Sequence, residues 1–334
     1  MHRCLQLAKK GFGAVAPNPM VGCVIVCDDK IIGEGYHEKY GEAHAEVNAI
    51  ASVKDKNFLP FSTVYVSLEP CAHFGKTPPC ANLLIENKVK KVVVACLDPH
   101  EKVAGKGVQM LKDAGIEVEV GVLEKENKTL NRRFFVFHQK ERPFVILKWA
   151  ESKDGFIWSK NQSKISGPLA QLLLHQWRTE EMAFLTGKNT LLKDNPKLNN
   201  RFLGTNQPIR IVLNSHLETQ NKDLFFYDQS QKTMVFNLKE EQTVGSLRFC
   251  KLEKMEVPSI LNKLWCMGIQ SLVVEGGALV LEAFLKSGIY DEIRVFQSKE
   301  LMLQEGVLAP KVASDFTPVL DLKDDILKIN NLIK

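Results

Sequence analysis

The sequence predicts an α/β protein built as two successive domains, and three observations carry that prediction. Strand-sized apolar runs alternate with helix-sized segments along most of the chain. At 334 residues the chain is long for a single core. The charged stretch FHQKERPF, residues 137–144, contains Pro143, which resists extension of a preceding helix. The expected domains are therefore residues 1–138 and 143–334.

Taken in order, residues 21–26 and 31–35 read as paired strands, 45–52 as a helix, 63–67 as a strand and 81–87 as a helix. Residues 91–96 (strand), 107–114 (helix), 116–120 (strand) and 123–137 (helix) repeat the alternation and complete an α/β layer sandwich. Beyond Pro143 a second series begins with strand 144–149, helix 168–178, and strands 182–186 and 209–213. Helix 258–267, strand 271–275 and helix 278–287 follow. No internal repeat or low-complexity segment stands out.

Hydrophobic content of 45% and charged content of 25% match globular averages and argue against disorder or a fibrous class. A net charge of +5 is mild, and no long Lys/Arg block marks a nucleic-acid surface, so a small anionic substrate is the expected partner. The longest apolar runs, VGCVIVC and VVVACL, are too short for a membrane span. The opening MHRCLQLAKKG lacks the apolar core of a signal peptide, so the cytoplasm is the expected location. Eight cysteines in that compartment argue for thiols and metal ligands rather than disulfides. Cys4, Cys23, Cys27, Cys96, Cys250 and Cys266 are expected to pack as small apolar side chains.

Two stretches carry chemistry: HAEVNAI, from His44, and SLEPCAHFGKTPPC, ending at Cys80. Catalytic zinc takes three protein ligands and leaves a fourth position open, and His44, Cys71 and Cys80 supply that count. Zinc lowers the pKa of bound water to roughly 7, and a nearby carboxylate must then move protons. Glu46, two residues from His44, is placed for that work. In zinc deaminases a non-ligand Glu in H-x-E has this role, and P-C-x-x-C closes the site. Here eight residues, AHFGKTPP, separate the two cysteines. A structural zinc is the alternative, with His73 as its fourth ligand.

At these residues the chain resembles the bifunctional deaminase/reductases of bacterial riboflavin biosynthesis. The matching strings are PNPMVGCVIV, GEGYHEKYGEAHAEVNAI, LEPCAHFGKTPPC and DPHEKVAGKG, then LKWAESKDGFI, TLLKDNPKLNNR, PIRIVLNS and VVEGGALVLEAFL. The eight-residue spacing between the cysteines is itself this family's pattern. The resemblance implies a cytidine-deaminase-like three-layer domain followed by a dihydrofolate-reductase-like α/β domain, with zinc serving the first and NADPH the second. It implies deamination of a 2,5-diamino-6-(5-phosphoribosylamino)pyrimidinone, then hydride transfer that turns the ribosyl group into ribityl.

The same resemblance implies Asn18, His73, Lys76 and Thr77 as deaminase substrate residues. For the reductase it implies Ser163, Arg178, Leu198, Arg201 and Glu275 at the substrate, and Ala150, Thr190, Asp194, Ser215, Gly277 and Ala278 at the cofactor. Guanidinium groups suit phosphate oxygens. EGGA, residues 275–278, follows a strand and opens a helix, which suits a phosphate but is not a Rossmann fingerprint. Two departures stand out: the family's Trp is missing from SKISG (residues 163–167), and Asn195 stands where a second acid usually follows Asp194. Homo-oligomerisation is a family expectation. The competing readings are a nucleic-acid or nucleoside deaminase with an unrelated second domain, a non-catalytic zinc-stabilised binding protein, and an active deaminase joined to a decayed reductase.

Overall fold

The structure is a computed structural model that describes residues 1–72, 78–100, 104–162, 164–204, 206–219, 221, 223–312 and 316–331. His73, Lys76, Thr77 and Ser163, expected at the two sites, lie outside those residues. The chain divides into two compact units, Met1–Glu141 and Arg142–Lys334.

The first unit holds strands β1 (Gly22–Cys27), β2 (Lys30–Tyr36), β3 (Thr63–Val66), β4 (Lys91–Val94) and β5 (Glu117–Val120) in the order β2-β1-β3-β4-β5. Strand β1 is antiparallel to both β2 and β3, while β3, β4 and β5 run parallel. Its helices are α1 (His2–Lys9), α2 (Ala45–Ser52), α3 (Cys80–Glu86), α4 (Lys106–Asp113), α5 (Glu124–Leu130) and α6 (Arg132–Lys140).

Period-two alternation sends Cys23 and Ile25 of β1 and Val64 and Val66 of β3 to one face. There they pack with Ala45 and Ala49 of α2, Leu84 of α3 and Leu111 of α4. Val24 turns the other way, onto Cys4 and Leu7 of α1, which completes three layers. The helix expected over residues 123–137 is instead two helices. They meet at Asn131, whose φ of −95° and ψ of 22° leave the helical range.

The second unit is a ten-stranded sheet. Its strands are β6 (Phe144–Glu151), β8 (Ala183–Gly187), β9 (Ile209–Leu213), β10 (Thr233–Asn237), β11 (Gln242–Val244), β12 (Leu247–Lys251), β13 (Ser271–Val274), β14 (Glu292–Ser298), β16 (Thr317–Asp321) and β17 (Asp325–Asn331). The order is β11-β12-β10-β9-β8-β13-β6-β14-β17-β16, parallel from β12 to β14. A separate ribbon pairs β7 (Phe156–Trp158) with β15 (Val307–Leu308). The helices are α7 (Pro168–Glu180), α8 (Lys188–Asp194), α9 (Val257–Cys266) and α10 (Ala278–Ser287).

Val145, Leu147, Leu185, Leu272, Val274, Ile293 and Val295 form one apolar face under α9 and α10. Trp177 of α7 stacks on Phe296, which lies on the opposite face of β14. Five of the six cysteines expected in apolar packing are buried. Cys266 is the correction, because it ends α9 on the helix's exposed side.

Candidate functional site

The parallel strands of the first unit place the chemistry at their carboxyl ends. From β3 the chain runs through Glu69 and Pro70 to Cys71. The Glu69 carboxylate is buried and accepts the backbone N–H groups of Asp98 (3.2 Å), Gly105 (2.9 Å) and Val108 (3.1 Å). Gly107 fits only without a side chain, since a Cβ would lie 1.9 Å from the Pro70 carbonyl oxygen. The start of α4 is thereby locked to the segment that presents Cys71.

His44 caps α2 in an extended conformation, and Cys80 is the first residue of α3. The His44 Nδ1 stands 3.3 Å from Cys80 Sγ and 3.7 Å from Cys71 Sγ. Cys80 donates its backbone N–H to Cys71 Sγ at 3.2 Å, and Ala81 donates to the Cys71 carbonyl, also at 3.2 Å. The three donor atoms lie within 4.8 Å of one another, and they are the single such cluster among the described residues. Hydrogen bonds from Cys80 and His44 pull the Cys71 thiol down to about 4, so this group favours a thiolate. Two sulfurs and one imidazole are a donor set that fits zinc, and three described ligands match the count of a catalytic site.

Glu46 lies on the first turn of α2 and is 3% exposed. Burial, then the charge of Cys71, pushes its carboxyl up to about 7. A carboxyl poised there takes and returns a proton near neutrality.

Asn18 is oriented by a residue that sequence reasoning missed. His37, 3% exposed, donates from Nδ1 to the Ala43 carbonyl at 3.0 Å, so its Nε2 accepts from the Asn18 amide at 3.0 Å. Asn131 holds the same turn from the start of α6: its amide accepts from Met20 N (2.8 Å) and donates to Met20 O (3.0 Å).

The second unit contains a cleft of about 620 Å³, lined by Ala150, Thr190, Asp194, Glu275, Gly277 and Ala278 among others. Thr190 and Gly277 bring the starts of α8 and α10 together, since a Cβ on Gly277 would stand 3.0 Å from Thr190 Oγ1. Asp194 is exposed at the cleft, where partial desolvation raises its pKa. Ser215 is not among the lining residues; Leu213, at the end of β9, is. This cleft, with the Gly276 and Gly277 backbone in its wall at the start of α10, fits a dinucleotide.

In the cleft wall Glu275 receives Lys148 at 3.1 Å and, from α7, Arg178 at 3.2 Å, all three nearly buried. Burial opposes the Glu275 carboxylate, but Lys148 and Arg178 outweigh it and hold its pKa below normal. Lys148 is the second residue that sequence reasoning missed. The available signal was a lysine inside the apolar strand FVILKWAE, because a cation buried there needs a partner.

Asn199 joins the two arginines: Arg178 donates to its carbonyl at 3.1 Å, and Arg201 to its side-chain oxygen at 3.0 Å. Leu198, just before it, is buried with φ of 43°. Burial and then the charge of Arg178 lower the Arg201 pKa, so two like charges face a shared neighbourhood. Asp154 pins the 301–304 turn. Its carboxylate accepts from Ser152 Oγ (2.6 Å), Leu303 N (3.1 Å) and Gln304 N (2.8 Å), which lowers its pKa to about 2.

Comparison with known proteins divides the chain in the same sense. Residues 1–96 match the cytidine and deoxycytidylate deaminase zinc-binding region, and residues 143–299 match the RibD C-terminal domain. The chain is 42% identical to riboflavin biosynthesis protein RibD of Aquifex aeolicus over 90% of its own length and 86% of that protein. It is 34% identical to RibD of Escherichia coli over 90% and 87%. Among solved structures, the diaminohydroxyphosphoribosylaminopyrimidine deaminase/5-amino-6-(5-phosphoribosylamino)uracil reductase of Thermotoga maritima superposes with a TM-score of 0.89 at 36% identity. That match covers 98% of this chain and 96% of the other. A RibD structure from Acinetobacter baumannii gives 0.88 at 34%, with the same coverage.

Proposed function

This chain belongs to the RibD family of riboflavin biosynthesis proteins, bifunctional deaminase/reductases that use zinc and NADPH, and on that premise we propose which residues perform each reaction. Residues 1–138 are the deaminase and residues 143–334 the reductase. The observation that carries the first half is the convergence of His44, Cys71 and Cys80 beside buried Glu46.

His44, Cys71 and Cys80 would hold zinc, which would lower the pKa of the attacking water and so make it a nucleophile at neutral pH. Glu46 takes one proton from the attacking water and delivers it to the ring nitrogen, then carries a second, from the hydroxyl of the adduct, to the amine that leaves as ammonia. The bond to His37 turns the Asn18 amide nitrogen inward and leaves its oxygen to accept from the substrate's ring. His73, Lys76 and Thr77 are assigned the rest of that ligand by the family pattern alone.

In the second half NADPH supplies the hydride. Ala150, Thr190, Asp194, Gly277 and Ala278 border the cofactor within the cleft, and Ser215 is assigned to it by the family pattern. Arg178 and Arg201 take the substrate phosphate, while Leu198, Glu275 and Ser163 border the sugar and ring. Asn195 carries no charge, but its amide binds the 223–225 segment, accepting from Phe225 N at 2.9 Å, so this position is structural here.

The substrate is a small phosphoribosylaminopyrimidine rather than nucleic acid, the working form is a homo-oligomer, and the location is cytoplasmic. No helix among the described residues is long and apolar enough to cross a membrane. The test is one cuvette holding purified zinc-loaded protein, the diaminopyrimidine substrate and NADPH. Ammonia is expected first, followed by loss of nicotinamide absorbance. Ammonia without NADPH consumption would confine activity to the first half, and neither signal would overturn the assignment.

A further inference from the structure

The roles above leave unused a buried polar side chain that reaches the Arg201 segment from α7. His175 lies one turn before Arg178 on α7 and has no exposed surface. Its Nδ1 accepts the backbone N–H of Arg201 at 3.1 Å, which leaves the ring proton on Nε2, an atom with no hydrogen-bond partner. We infer that His175 is a positioning residue of the reductase: it ties the segment carrying Arg201 to the helix carrying Arg178 and so fixes the spacing of the two guanidiniums. This rests on the assignment of both arginines to the substrate phosphate.

The segment beyond Leu198 closes on itself but not, by its own bonds, onto α7. Asn200 Oδ1 accepts from Phe202 N (3.1 Å) and Leu203 N (3.0 Å). Gln207 brackets the Asn200 backbone at 2.9 and 2.8 Å. Two hydrogen bonds then reach it from α7. One is Arg178 to the Asn199 carbonyl, made by a side chain that must also serve a ligand. The other is the bond to His175, which asks nothing of either guanidinium.

Phe202 covers the imidazole edge to face, with ring centroids 4.4 Å apart, and this cover keeps water from competing for Nδ1. Burial, then Arg178 and Arg201, hold the His175 pKa near 4, so the ring remains a neutral acceptor rather than a third cation. Repulsion between the arginines would otherwise push the Arg201 segment outward.

The experiment compares His175→Asn, whose side-chain oxygen replaces Nδ1, with His175→Gln, whose oxygen replaces Nε2 instead. Reductase kcat and KM are measured with the phosphorylated substrate and with its dephosphorylated counterpart. His175→Gln is expected to raise KM for the phosphorylated substrate by roughly tenfold, with kcat changed less than about twofold. KM for the dephosphorylated compound should not move, and His175→Asn should restore most of the loss.

An equal rise for both compounds, or an Asn variant as impaired as Gln, would mean packing alone and overturn the inference. Arg201→Ala is run alongside. An unchanged KM there removes the phosphate assignment and the inference with it. A raised KM there beside an unaffected His175→Gln removes only the role of His175. Should Gln not fold in this core, His175→Ala with added imidazole takes its place: recovery of the low KM supports the tie, and no recovery overturns it.

Discussion

The two halves hold their charged groups in opposite ways. In the deaminase half the backbone arranges lone pairs: a helix-capping imidazole and two sulfurs, one favouring the thiolate, with a buried carboxyl raised toward neutrality. In the reductase half one buried carboxylate already meets two cations. The first arrangement calls for a cation from outside; the second balances most of its charge internally and retains positive excess for an anion. Damage to the first should therefore appear as lost chemistry, and damage to the second first as lost stability.

The largest expected effect tests the first of these statements. Glu46→Gln should retain zinc, measured by metal analysis, yet reduce ammonia release by roughly 10²–10⁴-fold. Reduction of the already deaminated substrate should proceed at the normal rate. Full ammonia release by that variant would remove Glu46 from the mechanism.

Next in size is Glu275→Gln, which leaves Lys148 and Arg178 buried against a neutral amide. Denaturant unfolding should show the second unit losing about 3 kcal/mol while ammonia release is unchanged. If stability holds and only reductase turnover falls, the ion-pair network is catalytic rather than architectural.

The smallest effect concerns acid. His138 packs against Phe134 and His100, with ring centroids at 4.5 and 5.1 Å, and burial followed by His100 lowers its pKa to about 4. Folding favours the neutral ring, so its contribution is fully present above the unfolded value near 6.5 and is lost as pH falls toward 4. The first unit's Tm should fall more in wild type than in His138→Phe over that range, by roughly 2–4 °C. Parallel curves would show that the ring is already charged when folded.

The sequence disclosed most where chemistry restricts residue type. His44, Glu46, Cys71 and Cys80 were legible because few side chains bind zinc and their spacing fits a strand, a loop and two helix starts. Lys148 and His175 were not, because each sits in an apolar run that reads as core, and their partners are far off in sequence, Glu275 lying 127 positions (275 − 148) after Lys148 and Arg201 lying 26 after His175. Strand β14 was missed for a related reason. Its Glu292 and Arg294 break the apolar alternation yet are buried, Arg294 lying over the Trp177 ring at 4.5 Å and 3.5 Å from Glu181. Only the folded neighbourhood makes those charges acceptable inside a sheet. The helix break at Asn131 was likewise hidden, because it serves Met20, a residue 111 positions earlier.

That last contact bears on transplanting the deaminase into another protein. The matched zinc-binding region stops at residue 96, and a fragment ending there would still contain His44, Glu46, Cys71 and Cys80. It would lack Asn131, whose amide closes on both backbone atoms of Met20 and steadies the turn bearing Asn18. That fragment would also lose the Asp98, Gly105 and Val108 N–H groups that hold Glu69 beside Cys71, so the smallest portable deaminase is set by the supports of the site rather than by the ligands alone, and its cut belongs after Lys140, where α6 ends.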